Sequence, residues 1–344
     1  MTMPAGLGDA TSHQGSAERR RSLLDLLQAP GVASVVIGAS KDPNAKVTVL
    51  LLPPGNDRPT VAVKAPTTAV AEAAVAAETG LLRALHERVE DGRLLATIPQ
   101  VIEIVDFRGT SAMATTALPG IPMTTLYHRW RHLSRPASVA GDLHAVGTWL
   151  AWFQQVTAGP AQALEMDGGT VGRLRDRFRD EPDIGTVSDR LLRIHDRLRR
   201  SCAPRTAVHG DLWYGNVLLS GGAVSGVVDW EAGAPVGEPL RDLVRFPLIY
   251  ALYLDRHTRP GRPVAGHPGL RAGPWGTGVE YALEGNGWFP ELFRAFLRAG
   301  LDRLGAAPDC WRDAAVAGIG EIAATTDDLN FGRRHLQLFR RLSE

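Results

Sequence analysis

The stretch "AVHGDLWYGNVLLSGGAVSGVVDW", residues 207–230, decides how this chain is read. Two short apolar runs, "NVLL" and "SGVVDW", are joined by "SGGAV", whose glycines suit a tight hairpin. Asn216 opens the first run and Asp229 closes the second, so an antiparallel hairpin brings both to the same end of the ribbon. Asp211 lies five residues before Asn216, in the loop that feeds it. A carboxylate, an amide oxygen and a second carboxylate therefore converge on one small volume. Two oxygen ligands beside a third carboxylate suit a hard divalent cation that keeps some water, above all Mg2+. Such a site also takes phosphate oxygens from a substrate.

"HGDLWYGN" fits the pattern His-x-Asp-Leu-x-x-x-Asn of protein-kinase catalytic loops. In that chemistry the Asp accepts the proton of the attacking hydroxyl, and the Asn and the later Asp hold metal against the phosphates. The plain alternative is a polar turn, with Asp211 as a cap and Asn216 closing the turn. Asp229 at the far end of the hairpin weighs against it. A phosphoryl-transfer site also needs a cation on the phosphates and a carboxylate to hold that cation. "VAVKAP" puts Lys64 at the end of an apolar strand, an expensive place for an ammonium without a partner. The following helix offers Glu72 and Glu78, and "ETGLLRAL" places Glu78 near its middle, above the apolar stripe. A snorkelling lysine and a solvated helix face are the bland readings of the pair. Their order ahead of the loop motif argues against both together.

At 344 residues the chain is long for one ordinary domain and comfortable for two lobes. Hydrophobic content of 44% and charged content of 22% fit a globular protein with a substantial core. A net charge of +1 excludes a strong overall field toward nucleic acid or acidic membrane, so neither is an expected partner. The two cysteines, Cys202 and Cys310, form neither a disulfide framework nor a metal-ligand spacing, so a cytoplasmic setting is expected. The N-terminus lacks a signal pattern, and no apolar run reaches membrane-spanning length.

Residues 1–20 read as a flexible tail, small, polar and Gly-rich. Residues 32–65 read as a three-stranded antiparallel meander, followed by an Ala-rich helix capped by Thr67 or Thr68 and by two further strands, "PQVIEIVDF" and "SAMATTAL". "LPGIPM" breaks the pattern near 118–122. Beyond it the texture is helical over 138–157, 171–200, 238–253, 290–303 and 311–341, with "NVLL" and "SGVVDW" the only strand-like pieces. The expected fold class is α+β, protein-kinase-like and two-lobed. A small antiparallel β-sheet lobe with one helix spans 21–117, and a larger, mainly helical lobe spans 118–344.

From about Val32 to about Leu248 the chain resembles the aminoglycoside phosphotransferase family, the broad group of small-molecule kinases that includes choline-kinase-like enzymes. The resemblance rests on "VAVKAP", "ETGLLRAL", "LPG", "HGDLWYGN", "VVDWE" and "GEPLRDLVRF". It implies that Asp211 is the catalytic base, that Asn216 and Asp229 are Mg2+ ligands, that Lys64 holds phosphates and that Glu78 orients Lys64. It further implies that Asp242 braces the catalytic loop and that His209 packs and hydrogen-bonds rather than reacts. No Gly-x-Gly-x-x-Gly loop is present. The equivalent turn is "GASKDPNA", where Ser40 is the expected phosphate contact and Lys41 and Lys46 read as solvated. The hinge "MATTALPG" is expected to carry the nucleotide base on main-chain groups of Thr115 to Ala117, for ATP or GTP alike.

The implied activity is transfer of a γ-phosphate from ATP or GTP to a hydroxyl of a small molecule, by a monomer or homodimer. A kinase-like module without activity is disfavoured because Lys64, Asp211, Asn216 and Asp229 are all present. A protein kinase is disfavoured by "HGD", by "DWE" and by the lack of room for an activation segment before "GEPLRDL". For the acceptor, residues 255–278 stand out, with four Arg (Arg256, Arg259, Arg262, Arg271) against one Asp and ten Gly or Pro in 24 residues. A long irregular loop inside a compact lobe is often functional. Its charge fits a neutral or anionic acceptor better than a polycationic aminoglycoside. The acids available to a polycation are Glu231, Glu280, Glu284, Asp327 and Asp328.

Overall fold

The computed structural model describes residues 21–39, 44–166 and 168–343. The tail, Ser40 and Lys41 lie outside the described residues. After a capped turn of helix, α1 (Leu23–Leu27), come β1 (Ala33–Ala39), β2 (Lys46–Leu52) and β3 (Val61–Pro66). Helix α2 (Ala69–Arg88) follows, then the short α3 (Gly92–Leu95), β4 (Val101–Phe107) and β5 (Thr110–Thr116). The five strands form one antiparallel sheet in the order β1-β2-β3-β5-β4, so the expected meander is extended by the later pair. Thr68 caps α2, its hydroxyl accepting from Ala71 N–H at 3.1 Å. Val75, Leu81, Leu82 and Leu85 are buried along one stripe of that helix, which packs on β3 and β5.

Beyond the hinge the chain is mainly helical. Its first elements are β6 (Ile121–Pro122), α4 (Met123–Tyr127), α5 (Pro136–Val156), β7 (Ala161–Ala163), α6 (Thr170–Arg177) and α7 (Ile184–Leu198). The catalytic-loop region contributes β8 (Cys202–Pro204), β9 (Thr206–Val208), β10 (Val217–Ser220), β11 (Ala223–Val227) and β12 (Ala234–Gly237). The rest is α8 (Leu240–Leu252), α9 (Thr277–Glu284), α10 (Trp288–Arg303), α11 (Trp311–Thr325) and α12 (Leu329–Leu342). The β10–β11 hairpin turns at Gly221 and Gly222, both at positive φ. β6 joins its edge, which ties the hinge to the hairpin.

Three expectations are corrected. The helical stretch 171–200 is two helices, because "DEPD" places Pro182 where a helix cannot run through. The stretch 311–341 is also two. Asp328 leaves the helical conformation and accepts from Asn330 N–H at 2.7 Å and Phe331 N–H at 3.1 Å, capping α12. The helical half also holds short strands beyond the hairpin, β9 with β12 and β7 with β8, three or four residues long and too short to show a periodicity. A large core runs through Trp149, Phe153, Trp230, Phe246 and Tyr250, and a smaller one lies under α1 on the sheet.

Candidate active site

Lys64 sits on the central strand β3, opposite Thr48 of β2 and Met113 of β5. Its Nζ donates to Glu78 Oε1 at 2.7 Å, to Glu78 Oε2 at 2.8 Å and to Asp229 Oδ1 at 2.7 Å. Glu78 is buried and also accepts from Trp230 N–H at 3.0 Å, so one carboxylate ties the sheet to the segment after β11. Burial opposes the Lys64 charge, but Glu78 and then Asp229 more than reverse this and raise its pKa above the ordinary lysine value. For Asp229, burial pushes upward and Lys64 outweighs it, bringing the carboxyl down to about 2. Asp229 adopts φ 70°, a left-handed conformation that a residue with a Cβ adopts only when its surroundings hold it there.

The loop before β10 is fixed from below. Asp242, in the first turn of α8, accepts from His209 N–H at 2.6 Å and from Gly210 N–H at 2.8 Å. Asp211 N–H donates to His209 Nδ1 at 3.2 Å, so the ring's proton is on Nε2, which donates to the Val228 carbonyl at 2.9 Å. His209 thus links the loop to the end of the hairpin. Gly210 has φ 79°, and a Cβ there would lie 2.0 Å from the Ala232 carbonyl oxygen, which explains the glycine in "HGD". Asn216 Nδ2 donates to the Asp211 carbonyl at 2.9 Å and to its Oδ2 at 3.3 Å.

One partner of Asp211 is absent from the sequence reading. Arg245 of α8 donates from Nε to Asp211 Oδ1 at 2.8 Å and makes an ion pair with it. Glu321 of α11, itself buried, lies 4.0 Å from Arg245 and accepts from Arg241 Nε at 3.1 Å. Burial disfavours the Arg245 charge; Asp211 and then Glu321 overcome it and raise its pKa. The available signal is spacing, since Arg245 lies three residues after Asp242 on one helix and so shares its face.

Among the described candidates, Lys64, Glu78, Asp229, His209, Asp211, Asn216 and Asp242 form one connected network. The others do not join it as expected. Glu231 points to the sheet lobe and not to an acceptor: it makes an ion pair with Lys46 and accepts from Asn44 Nδ2 at 3.0 Å. Lys46 is accordingly not a solvated lysine. At the hinge, Thr115 is buried in β5, and the Thr116 and Ala117 N–H groups are engaged by Gln100 and Thr60 carbonyls at 2.9 Å. The next hinge N–H is that of Leu118, and Pro119 after it has none. Glu280 pairs with Arg341 and Glu284 with Arg312, Asp328 caps α12, and Asp327 is exposed, its carbonyl accepting from Arg177 at 3.4 Å. Those four acids therefore do not converge as a polycation site. All four loop arginines are exposed, and Arg271 donates to the Gly261 carbonyl at 3.0 Å within its own loop. A cleft of about 700 Å³ is lined by the hinge at Leu118 together with Arg58, Leu126, Ser138, Asp142 and the Gly221–Gly222 turn, and Asp211 is not part of its lining.

The donor set fits a hard cation. Asn216 uses its Nδ2 on Asp211, which leaves the amide oxygen to act as a ligand, and Asp229 is ionised at the same end of the hairpin. Among the described residues there is no cluster of three or more His, Cys, Asp and Glu side chains placed to hold a metal unaided. The remaining ligands of a bound ion fall to phosphate oxygens and water.

The chain shares its fold with solved aminoglycoside phosphotransferases. A thermostable mutant of aminoglycoside phosphotransferase APH(4)-Ia in apo form superimposes with a TM-score of 0.56 at 13% identity, over 93% of this chain and 97% of that one. A further thermostable variant of that enzyme, in a ternary complex with ADP and hygromycin B, gives 0.52 at 12% identity over 90% and 93%. ADP-bound APH(2'')-Ib gives 0.50 at 14% over 91% and 95%. No curated protein matches in sequence. The profile of the phosphotransferase enzyme family, however, matches residues 48–272, from β2 through the catalytic loop and α8, and with that span the chain belongs to the phosphotransferase enzyme family.

Proposed function

We propose that this protein transfers the γ-phosphate of ATP or GTP to a hydroxyl group of a small molecule, with Asp211 as the base. The observation that carries the reading is the network around Lys64. An ammonium is held between Glu78 and Asp229, and the catalytic loop is braced by Asp242 at the His209 and Gly210 N–H groups, with the Asp211 carboxylate accepting from Asn216 and Arg245. In this reading residues 21–117 bind the nucleotide, residues 118–344 carry the reacting groups and the acceptor, and residues 1–20 are a tail. The protein works in the cytoplasm as a monomer or homodimer.

Lys64 grips phosphate oxygens, and Glu78 sets its position. Asn216 and Asp229 would hold Mg2+, which when bound neutralises charge on the phosphates. The acceptor hydroxyl lies against Asp211, which takes its proton. The acceptor oxygen forms a bond to the γ-phosphorus while the bond from that phosphorus to the β–γ bridging oxygen breaks, and the nucleoside diphosphate leaves. His209 and Asp242 stay structural. A solved protein of the same fold binds ADP together with hygromycin B, which supports a nucleotide beside a hydroxyl-rich acceptor. An aminoglycoside acceptor is the second reading; Glu280, Glu284, Asp327 and Asp328 do not converge to hold a polycation for it.

Asp211→Asn tests the proposal. Nucleotide affinity should stay within about threefold while transfer falls by about 10³-fold or more, because base and positioning are lost together. The measurement is a transfer screen with labelled ATP over sugars, nucleosides and aminoglycosides. A variant with near-normal kcat removes Asp211 from the mechanism.

A further inference from the structure

Two loops meet beside the catalytic loop. One joins α4 to α5 over residues 128–135, and the other follows α8 over residues 255–276. His267 Nε2 hydrogen-bonds the Leu133 carbonyl at 2.9 Å, and a Cβ on Gly266 would lie 2.4 Å from the Ser134 carbonyl oxygen. The His128 and His257 rings lie edge to face at 5.8 Å. His128 also meets Tyr214 edge to face at 6.3 Å, and Tyr214 lies three residues after Asp211. The joined loops thus pack against the catalytic loop at Tyr214.

Their surface is rich in arginine, while His132 of the first loop turns to Asp142 of α5, its Nε2 lying 2.7 Å from Oδ2. Arg129, Arg131, Arg135, Arg256, Arg259 and Arg262 are exposed, and among the described residues none of their guanidinium groups forms an ion pair. Asp255, the one acid in the two segments, is engaged by Gly273 N–H at 3.1 Å. The chain as a whole carries 38 basic against 37 acidic residues, so this excess is local. Partial desolvation, with Arg256 and His257 nearby, lowers the pKa of His128. Between Arg129 and Arg131, Trp130 is 86% exposed, an unusual position for an indole with no partner to cover it.

We infer that this face recognises a phosphate or carboxylate on the hydroxyl compound that is phosphorylated, with Trp130 stacking on its ring. The inference rests on the phosphotransfer reading above and names its acceptor class. Guanidinium forks match the oxygens of phosphate and carboxylate and remain charged at any working pH. A face of one sign raises the local concentration of anions and repels a polyamine.

The test uses the full chain with its nucleotide site filled by AMP-PNP and Mg2+. Calorimetric titrations compare fructose 1,6-bisphosphate, fructose and kanamycin. The bisphosphate should bind tightest, and both added salt and the combined substitution Arg129→Gln, Arg131→Gln, Arg256→Gln should weaken it by about tenfold or more. AMP-PNP affinity should not change, which controls for folding. The idea is overturned if the bisphosphate shows no binding at millimolar concentration, if kanamycin or fructose binds as well, or if the triple variant binds it undiminished. Repeating the titration on Asp211→Asn separates the two readings. Anion binding there should persist, so a failure of recognition leaves the assigned base untouched, and a fully active Asp211→Asn sinks only the assigned base.

Discussion

Asp211 is held by two side chains of different legibility. Asn216 is evident because motif spacing places it, five residues on, at the start of a strand. Arg245 is not, because its role depends on α8 lying under the loop, and only tertiary packing sets that. The same holds for Glu321, whose buried carboxylate on α11 is offset by Arg241 and Arg245. Arg245→Met should lower kcat by about 10- to 100-fold while KM for the nucleotide stays nearly constant, since Arg245 orients the base and not the phosphates. Arg245→Lys should restore part of this, as a point charge replaces a planar fork. Steady-state kinetics on folded protein, checked by thermal melting, decides the matter. Equal kcat in Arg245→Met would mean that the arginine only supports packing. Glu231 shows the opposite failure. Its neighbourhood in "DWE" suggests the acceptor, but side-chain direction at the end of a hairpin is not encoded in spacing, and it turns to Lys46.

At the scale of elements, periodicity locates the helices and the sheet but not their interruptions. Helical composition runs through both breaks, α11 being buried all round from Ala314 to Ala324, so a pattern count joins the helices on either side. The breaks come from Pro182 and from the Asp328 cap, single residues whose effect outweighs that composition. The cap also places His335 in the interior of α12, between Trp275 and Phe331, with its Nδ1 bonded to the Phe331 carbonyl at 3.0 Å. Burial lowers its pKa to about 3, the Arg245 charge adding to this and the carbonyl bond opposing it. The folded value lies below the unfolded one of about 6.5, so the unfolded chain binds the proton first. Stability is therefore complete above pH 6.5 and falls as the pH drops from there toward 3. The slope reaches up to about 1.4 kcal/mol per pH unit for this histidine alone. His267, lowered to about 4 by burial, adds to the loss in the same sense. Denaturant melts at pH 7 and pH 5 should show the decline. His335→Gln, which has nothing to protonate, should make it shallower; an unchanged slope would show that other groups carry the acid sensitivity.

For the whole molecule, two ion pairs cross from the sheet to the segment after the hairpin, Lys64 with Asp229 and Lys46 with Glu231. The division into a sheet lobe and a helical lobe is legible from texture alone. The crossing is half legible: the sequence singles out Lys64 and Asp229, but as holders of phosphate and metal, and spacing gives no sign of their direct contact. That contact bears on how nucleotide binding reads out in stability. Lys64 already has two carboxylates, so it can turn from Asp229 toward phosphate oxygens while Glu78 keeps its position, and Asp229 is then released to a cation. Removing Asp229 keeps the Lys64–Glu78 pair, whose geometry does not depend on it. Asp229→Ala should therefore fold, with a modest loss, since its carboxylate is partly exposed and its left-handed backbone remains strained. In the unmodified protein, AMP-PNP with Mg2+ at a hundred times Kd should add about 2.7 kcal/mol by mass action. For a chain of this length that raises Tm by about 4 °C. In Asp229→Ala the shift should become the same with and without Mg2+, because the charged ligand that couples the ion to the phosphates is gone. Thermal melts with nucleotide alone, Mg2+ alone and both together separate the coupling from simple nucleotide affinity. If the Mg2+-dependent part of the shift survives intact in Asp229→Ala, the end of the hairpin is not where the cation is held.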